Sequence, residues 1–135
     1  METVVLMTIL LIFMIWYCWK SLNDDLMERD PNVVRIKAKL LPHFPELRSV
    51  KFMKGSSSYT INKQKIYLCT DHSGTRYDDN MLIYVTLHEL AHVITPDIGH
   101  GPMFRSNFGQ LLDRAINAKV YDPSQPKVEN YCSQT

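Results

Sequence analysis

The stretch HELAH, residues 88–92, lies within a long apolar segment, and His100 follows eight positions after the second histidine. Residues four apart share one face of a helix, so the imidazoles of His88 and His92 can converge on one metal ion with Glu89 beside it. Hydrolytic zinc sites use three protein ligands and keep a fourth position for water, whose pKa the metal lowers to about 7. The spacing therefore predicts one Zn²⁺ ion held by His88, His92 and a third ligand, with Glu89 as the general base.

Two residues are candidates for the third metal ligand. His100 comes first, because three imidazoles preserve the usual zinc geometry and Gly101-Pro102 fixes a turn beside it. Asp113 is the alternative. It lies on the following helix, at a distance from the motif comparable to that of the third ligand, a glutamate, in a thermolysin-like protein. The glutamate that a thermolysin-like protein would take from that helix is missing, because no glutamate occurs between Glu89 and Glu129.

Two helices are predicted to frame this motif. Asp78 or Asp79 can cap a helix that ends near Ile94, because Pro96 cannot continue it. That helix is apolar nearly all round, which predicts a buried central helix. A second helix starts at residues 101–102, and its predicted apolar stripe consists of Phe104, Phe108, Leu111, Leu112 and Ala115.

The segment before the motif helix changes its periodicity. Asp30 followed by proline predicts a helix over residues 32–41, with the basic side chains of Arg35, Lys37 and Lys39 solvated. Apolar residues then alternate with period two over residues 49–69, which predicts two or three short antiparallel strands. Residues 70–77 are predicted to form a loop. These elements together predict an α+β domain.

Residues 3–19 contain no charged side chain, and Trp16, Tyr17 and Trp19 gather at their downstream end. Such a segment can span a bilayer, with the aromatic residues at the interface. A cleaved signal peptide is the alternative, but it would begin with basic residues and end at a small-residue site, which this segment lacks. We therefore predict a transmembrane anchor over residues 1–20 and a linker over residues 21–30.

Positive charge and cysteines predict the side of the membrane. The lysines and arginines within about twenty positions of the apolar segment all lie downstream, which favours a single-pass protein whose C-terminal domain is cytosolic, in a viral or host membrane. Cys18, Cys69 and Cys132 are scattered and suggest no disulfide framework, in agreement with a cytosolic domain. A formal net charge of +1 gives no sign of a strong nucleic-acid footprint.

The HELAH stretch, a short spacer and the run HGPMF at residues 100–104 resemble the SprT-like and WLM families of small zinc metalloproteases. The resemblance covers roughly residues 59–118, and its specific part is His88, Glu89, His92, His100, Gly101 and Phe104. It implies a minimal zincin-like core in which three histidines hold zinc and the glutamate is the base. It also implies related short proteins in large DNA viruses. Nucleic acid is an expected partner on the basis of this resemblance alone. The anchor and the lack of an evident DNA-binding module depart from the family pattern.

The predicted organisation is an anchor over residues 1–20, a linker over 21–30, a zincin-like metalloprotease domain over 31–120 and an extended or partly disordered tail over 121–135. The expected reaction is hydrolysis of peptide bonds in a protein or peptide substrate, with the strand at residues 65–69 aligning the substrate by backbone pairing. The alternative is an inactive, zinc-stabilised, membrane-tethered interaction module. Glu89 argues against it, because a structural zinc site has no use for a base.

Five further residues, two histidines and three tyrosines, carry weaker signals. His43 needs no function, whereas His72 lies before the motif helix and is a candidate second-shell or substrate-facing group. Tyr77, Tyr84 and Tyr121 are candidate oxyanion donors as well as packing residues. The sequence assigns the oxyanion role to none of them.

Overall fold

The structure is a computed structural model and describes residues 1–132 of the chain. Within this range the helices and strands are α1 (Glu2–Glu28), α2 (Pro31–Leu40), β1 (Lys51–Lys54), β2 (Tyr59–Ile61), β3 (Lys65–Leu68), β4 (Asp71–His72), β5 (Thr75–Arg76), α3 (Asp79–Ile94) and α4 (Pro102–Asn117). A 3₁₀ turn at Pro45–Ser49 connects α2 with β1. The predicted α+β class is confirmed. The last three residues of the predicted tail, 133–135, lie outside the described range.

Helix α1 is long and apolar enough to cross a membrane, and none of its residues is buried in the protein. It continues through residues 21–28, so the predicted linker is mostly helical. The physical reason is that no glycine or proline interrupts the first thirty residues. The helix contacts β1 of the domain. The chain therefore has one exposed apolar helix joined directly to a folded α+β domain.

Helix α2 is held to the rest of the domain by its polar side chains. Asp30 caps it by accepting hydrogen bonds from the backbone N–H groups of residues 32 and 33, as predicted. The basic side chains are less solvated than predicted: Arg35 and Lys39 form ion pairs with Asp79 at the start of α3, at 2.9 and 2.5 Å. Lys37 donates a hydrogen bond to a backbone carbonyl just before β1. These contacts fix α2 across α3 and β1.

The three-stranded sheet has the order β1-β3-β2, with β1 parallel and β2 antiparallel to β3. The prediction of antiparallel strands alone is therefore wrong, because period-two alternation identifies strands but does not specify their partners. In β2 the apolar residues of the alternating pattern do not face the core: Tyr59 and Ile61 are 40% and 38% exposed, while Thr60 is part-buried. The predicted loop at residues 70–77 contains the β4–β5 hairpin.

The position of β3 overturns one functional expectation. Because β3 has β1 on one side and β2 on the other, both of its edges are occupied, and it cannot pair with a substrate peptide. The outer strand next to α3 is β2. A peptide that adds to this sheet beside the motif helix would therefore pair with β2.

Helix α3 forms the centre of the core. Asp78 caps it by accepting a hydrogen bond from the backbone N–H of Met81, and the helix ends at Ile94 as predicted. Most of its residues are buried, so the predicted central helix is confirmed. Helix α4 packs against it through the predicted apolar stripe, of which Phe104, Leu111 and Ala115 are buried. Helices α2 and α3 thus pack on the sheet, and α4 packs on α3.

A disulfide joins Cys69, directly after β3, to Cys132 in the tail. The prediction of no disulfide is wrong. The two cysteines are 63 residues apart, and only the fold returns the tail to the end of β3. The two ends of the segment 121–132 contact the domain: Tyr121 is buried, Asp122 exchanges two hydrogen bonds with Asn80, and Cys132 is buried, while residues 122–130 are exposed.

Candidate metal centre

Three histidine side chains converge at the end of helix α3. His88 and His92 lie one turn apart on that helix, and His100 reaches them from the turn before α4. The Nε2 atom of His100 lies 3.2 Å from Nε2 of His88 and 3.1 Å from Nε2 of His92. A neutral imidazole nitrogen carries either one proton or one lone pair, so at most one of these contacts can be a good hydrogen bond. Hydrogen bonding among the rings alone therefore does not explain the convergence.

The spacing of the three nitrogens fits a tetrahedral metal ion. Zinc–nitrogen bonds of about 2.0–2.1 Å at tetrahedral angles place two ligand nitrogens about 3.3 Å apart. The 3.1 and 3.2 Å separations around His100 are close to this value. His88, His92 and His100 form a group that could hold a metal ion, whereas Asp113 is exposed on α4 and outside that group. The geometry thus brings together the first-choice ligand set from the sequence.

Two aromatic rings of α4 pack against the histidine rings. The ring of Phe104 lies 4.4 Å from His92, 4.7 Å from His100 and 5.0 Å from His88, measured between centroids, and Phe108 lies 5.2 Å from His88. Burial lowers the pKa of His88 to about 4 and also lowers the pKa of His92. Both imidazoles are therefore neutral at pH 7, which is the form that binds a metal.

The Glu89 carboxylate is buried and held in place by strand β2. Glu89 is 6% exposed, and the Thr60 hydroxyl donates a 2.7 Å hydrogen bond to its Oε2 atom. Burial raises the pKa of Glu89, while the hydrogen bond from Thr60 acts in the opposite direction. A carboxylate with a raised pKa and a fixed orientation is suited to accept and return a proton near neutral pH.

Lys63 ties the hairpin between β2 and β3 to the end of α3. Asn62 and Lys63 have φ values of 50° and 55°, in the left-handed region, within the three-residue connection between the paired residues Ile61 and Lys65. Asparagine accepts this conformation readily, whereas lysine does so at a cost in backbone energy. The Lys63 ammonium group donates hydrogen bonds to the backbone carbonyls of His92 and Thr95. These are terminal carbonyls of α3, where a cation is stabilising.

A cleft of about 590 Å³ opens over the histidines and Glu89. Strand β2 and its hairpin form one side of the cleft, and the turn at residues 97–100 forms the other. The exposed side of His100 faces this space. A substrate can therefore reach the candidate metal ligands and the carboxylate from solvent.

The tail contributes Tyr131 to the same region. Its hydroxyl donates to the backbone carbonyl of Cys69 and lies 2.9 Å from Ser58 Oγ, which accepts a 3.0 Å hydrogen bond from the Cys69 N–H. Because the single Tyr131 proton goes to the carbonyl, Ser58 is the donor between the two hydroxyls. Burial raises the pKa of Tyr131 to about 12, so the phenol keeps this proton. The three residues form a closed hydrogen-bonded ring.

None of the five residues with weaker signals lines the cleft. His72 is exposed on β4 and His43 is exposed after α2, and neither lines the cleft. Tyr77, Tyr84 and Tyr121 do not line it either: the Tyr77 hydroxyl accepts a hydrogen bond from the Cys132 N–H, and the other two rings pack together. No oxyanion donor emerges from this set.

Sequence reasoning missed Thr60, Lys63 and Tyr131. A signal existed for Thr60, the inward member of an alternating strand, and for Lys63, which follows an asparagine between two alternating segments. Tyr131 carried a weaker signal, its position next to a cysteine that could bridge to Cys69. All three contacts depend on long-range packing.

The similar proteins are viral. The chain is 42% identical over 90 residues to the uncharacterized protein 136R of Invertebrate iridescent virus 6, an alignment of 64% of this chain and 51% of that protein. It is 48% identical over 87 residues to the uncharacterized protein 042R of Invertebrate iridescent virus 3, covering 63% and 55%. It is 40% identical over 68 residues to the uncharacterized protein R325 of Acanthamoeba polyphaga mimivirus, covering 48% and 34%.

The chain spans about half the length of the two iridescent virus relatives that it matches. No family model matches the chain. No solved structure matches it. These comparisons relate the chain to viral proteins whose names state no activity.

Proposed function

We propose that the protein is a zinc metalloendopeptidase that hydrolyses peptide bonds in a protein or peptide substrate. The observation that carries the proposal is the convergence of three histidine Nε2 atoms next to the buried Glu89 carboxylate, under an open cleft. Zinc is the proposed ion because three imidazoles with a free fourth position are its usual hydrolytic arrangement. The resemblance to the SprT-like and WLM families supports the same chemistry and a minimal zincin-like core.

Zinc bound by the three histidines would polarise the substrate carbonyl and lower the pKa of a coordinated water. The residues of the chain perform the proton transfers. Glu89 takes a proton from the attacking water and later gives it to the leaving amine. Thr60 holds the carboxylate in one orientation during both transfers. The outer strand β2 offers backbone groups with which an extended peptide can pair beside Glu89.

Replacing Glu89 with glutamine tests this proposal. The Glu89→Gln variant of the full chain in detergent is expected to keep one zinc ion per chain and to lose cleavage of a denatured protein by roughly 10²–10⁴-fold, because the amide cannot accept the proton. Glu129→Gln, at an exposed tail residue, is the matched control and keeps full activity. Chelation should abolish wild-type cleavage, and added zinc should restore it.

The same experiment distinguishes the peptidase from the inactive, zinc-stabilised interaction module. A chain that binds zinc stoichiometrically but cleaves no peptide bond, with or without the Glu89 substitution, would support the module and contradict the peptidase. The geometry favours the peptidase, since the carboxylate is oriented by Thr60 and the histidines remain accessible from the cleft. Nucleic acid as a partner rests on the family resemblance alone.

The membrane topology is a further part of the proposal. We propose that α1 anchors the chain in a viral or host membrane through residues 3–19, with the domain on the cytosolic side, because the nearby lysines and arginines lie downstream. The disulfide between Cys69 and Cys132 opposes this side, since disulfides persist mainly in oxidising compartments. Protease protection of the domain in sealed microsomes, together with an oxidised disulfide, would contradict the cytosolic orientation.

A further inference from the structure

A second cavity, of about 360 Å³, adjoins the cleft at the Glu89 carboxylate. The two spaces share Ser58, His88 and Glu89 as lining residues. This volume lies within the range of small-ligand pockets and is ample for one amino-acid side chain. A group that enters the second cavity therefore lies directly beside the proposed general base.

The walls of this cavity are mainly apolar. Met81 and Val85 precede Glu89 by two turns and one turn of α3, so all three lie on the same face of the helix. Tyr84 and Tyr131 add aromatic surface. Apart from the site residues themselves, the lining contains no charged side chain. The cavity is thus suited to a large apolar side chain and unsuited to a carboxylate.

The tail wall of the cavity is fixed by several independent contacts. The disulfide to Cys69 holds Cys132, and the hydrogen-bonded ring with Ser58 holds Tyr131. The Cys132 N–H donates to the Tyr77 hydroxyl, and the rings of Tyr77 and Tyr131 lie 4.7 Å apart. The tail, whose Tyr131 lies 62 residues after its partner Cys69 in sequence, is therefore built into the wall of a cavity at the site.

We propose, on the basis of the proposed peptidase function, that this cavity receives a large apolar side chain of the peptide substrate next to the bond that is cut. Tyr131 determines this specificity, and the Cys69–Cys132 disulfide positions it. A peptide paired with β2 passes Ser58, where the cleft and the cavity meet, so one of its side chains can turn into the cavity.

The first test compares cleavage of peptides that differ at one position, occupied by leucine, alanine or aspartate. The wild-type full chain in detergent is expected to prefer leucine over alanine by roughly tenfold or more and to reject aspartate. Tyr131→Ala should reduce the leucine preference to about twofold, while Tyr131→Phe, which retains the ring, should preserve it. An unchanged preference in Tyr131→Ala would overturn the role of this residue.

The second test examines the disulfide. Cys132→Ser should lower the leucine preference without removing zinc, and Cys18→Ser is the control because Cys18 is free and exposed. A substitution is used in place of a thiol reductant, since thiols themselves bind zinc. Equal selectivity of Cys132→Ser and Cys18→Ser would overturn the positioning role of the disulfide.

A variant on the opposite wall of the cavity tests the proposal even if the tail variants misfold. Val85→Ala enlarges the cavity from the α3 side, so it should shift the preferred residue from leucine toward phenylalanine. Zinc content and circular dichroism identify variants that fold. An unchanged ratio of phenylalanine to leucine cleavage in folded Val85→Ala would overturn the assignment of the cavity.

Binding separates failure of this inference from failure of the peptidase proposal. The same peptides, labelled with a fluorophore, are titrated into the zinc-loaded Glu89→Gln chain. If the wild type cleaves nothing while leucine peptides still bind more tightly than alanine peptides, the peptidase proposal fails and the pocket stands. Equal binding and equal cleavage of the two peptides would overturn the pocket.

Discussion

The two sides of Glu89 differ in how the chain builds them. The histidine side comes from one continuous stretch, residues 88–100, in which a helix and a short turn set the geometry. The opposite side comes from β2 and the tail, with Thr60 and Tyr131 on either side of the motif in sequence. Local backbone geometry thus places the candidate metal ligands, whereas the sheet and a disulfide place the groups that orient the carboxylate and shape the cavity.

This difference predicts that substitutions on the two sides of Glu89 have different effects. Substitutions on the histidine side should remove the metal and therefore all activity. Substitutions on the opposite side should leave the metal in place and change rate, pH dependence or selectivity. A histidine substitution that leaves the metal bound, or a substitution in β2 that removes the metal, would contradict this difference.

The largest effect is expected for the third metal ligand. His100→Ala should lose stoichiometric zinc and reduce cleavage on the order of 10³-fold or more, because two imidazoles hold the ion too weakly. Asp113→Ala is the matched control on the neighbouring helix and should keep both zinc and activity. Metal analysis of the two purified variants checks the assignment, and zinc loss in Asp113→Ala alone would reverse it.

A smaller effect is expected for the carboxylate-orienting residue in β2. Thr60→Val removes the hydrogen bond that lowers the Glu89 pKa, so that pKa should rise. As the proposed base, Glu89 must be ionised, so the acidic limb of the activity profile should move to higher pH, with about tenfold lower activity at neutral pH. Thr60→Ser keeps the hydroxyl and should restore the wild-type profile. Zinc loss in Thr60→Val would mean that this residue supports the histidines instead.

The smallest effect is expected at the hairpin turn. Lys63→Met removes a cation from the carbonyl end of α3 and should lower the free energy of unfolding by about 1 kcal/mol. Denaturant unfolding of the metal-free chain measures this change. Lys51→Met, at an exposed residue of the other outer strand, is the control. Equal stability of the two variants would show that the contacts of Lys63 with α3 contribute nothing.

The elements that could be predicted are those with local signals. Helix α3 was located by its capping aspartate, its apolar run and Pro96, and α4 by Gly101-Pro102 and its stripe. These signals act within one or two turns of the chain. The class of the fold and the convergence of the histidines followed from the same local information.

The elements that could not be predicted depend on pairing between distant segments. Alternation in residues 49–69 marked strands but specified neither the parallel β1–β3 pair nor the inward face of β2. Arg35 and Lys39 of α2 looked solvated because Asp79, their partner, lies 44 and 40 residues downstream. The disulfide was missed because cysteine spacing does not specify connectivity.

The sequence by itself determined a long apolar N-terminal helix and a central helix that carries two histidines and a glutamate, because helical periodicity fixes which side chains share a face. It also allowed His100 to reach the motif, since only seven residues separate α3 from α4. Only the tertiary structure decided what lies against Glu89. Thr60, Lys63 and Tyr131 reach this site through strand pairing, a hairpin turn and a disulfide, and these contacts form only when the whole domain packs.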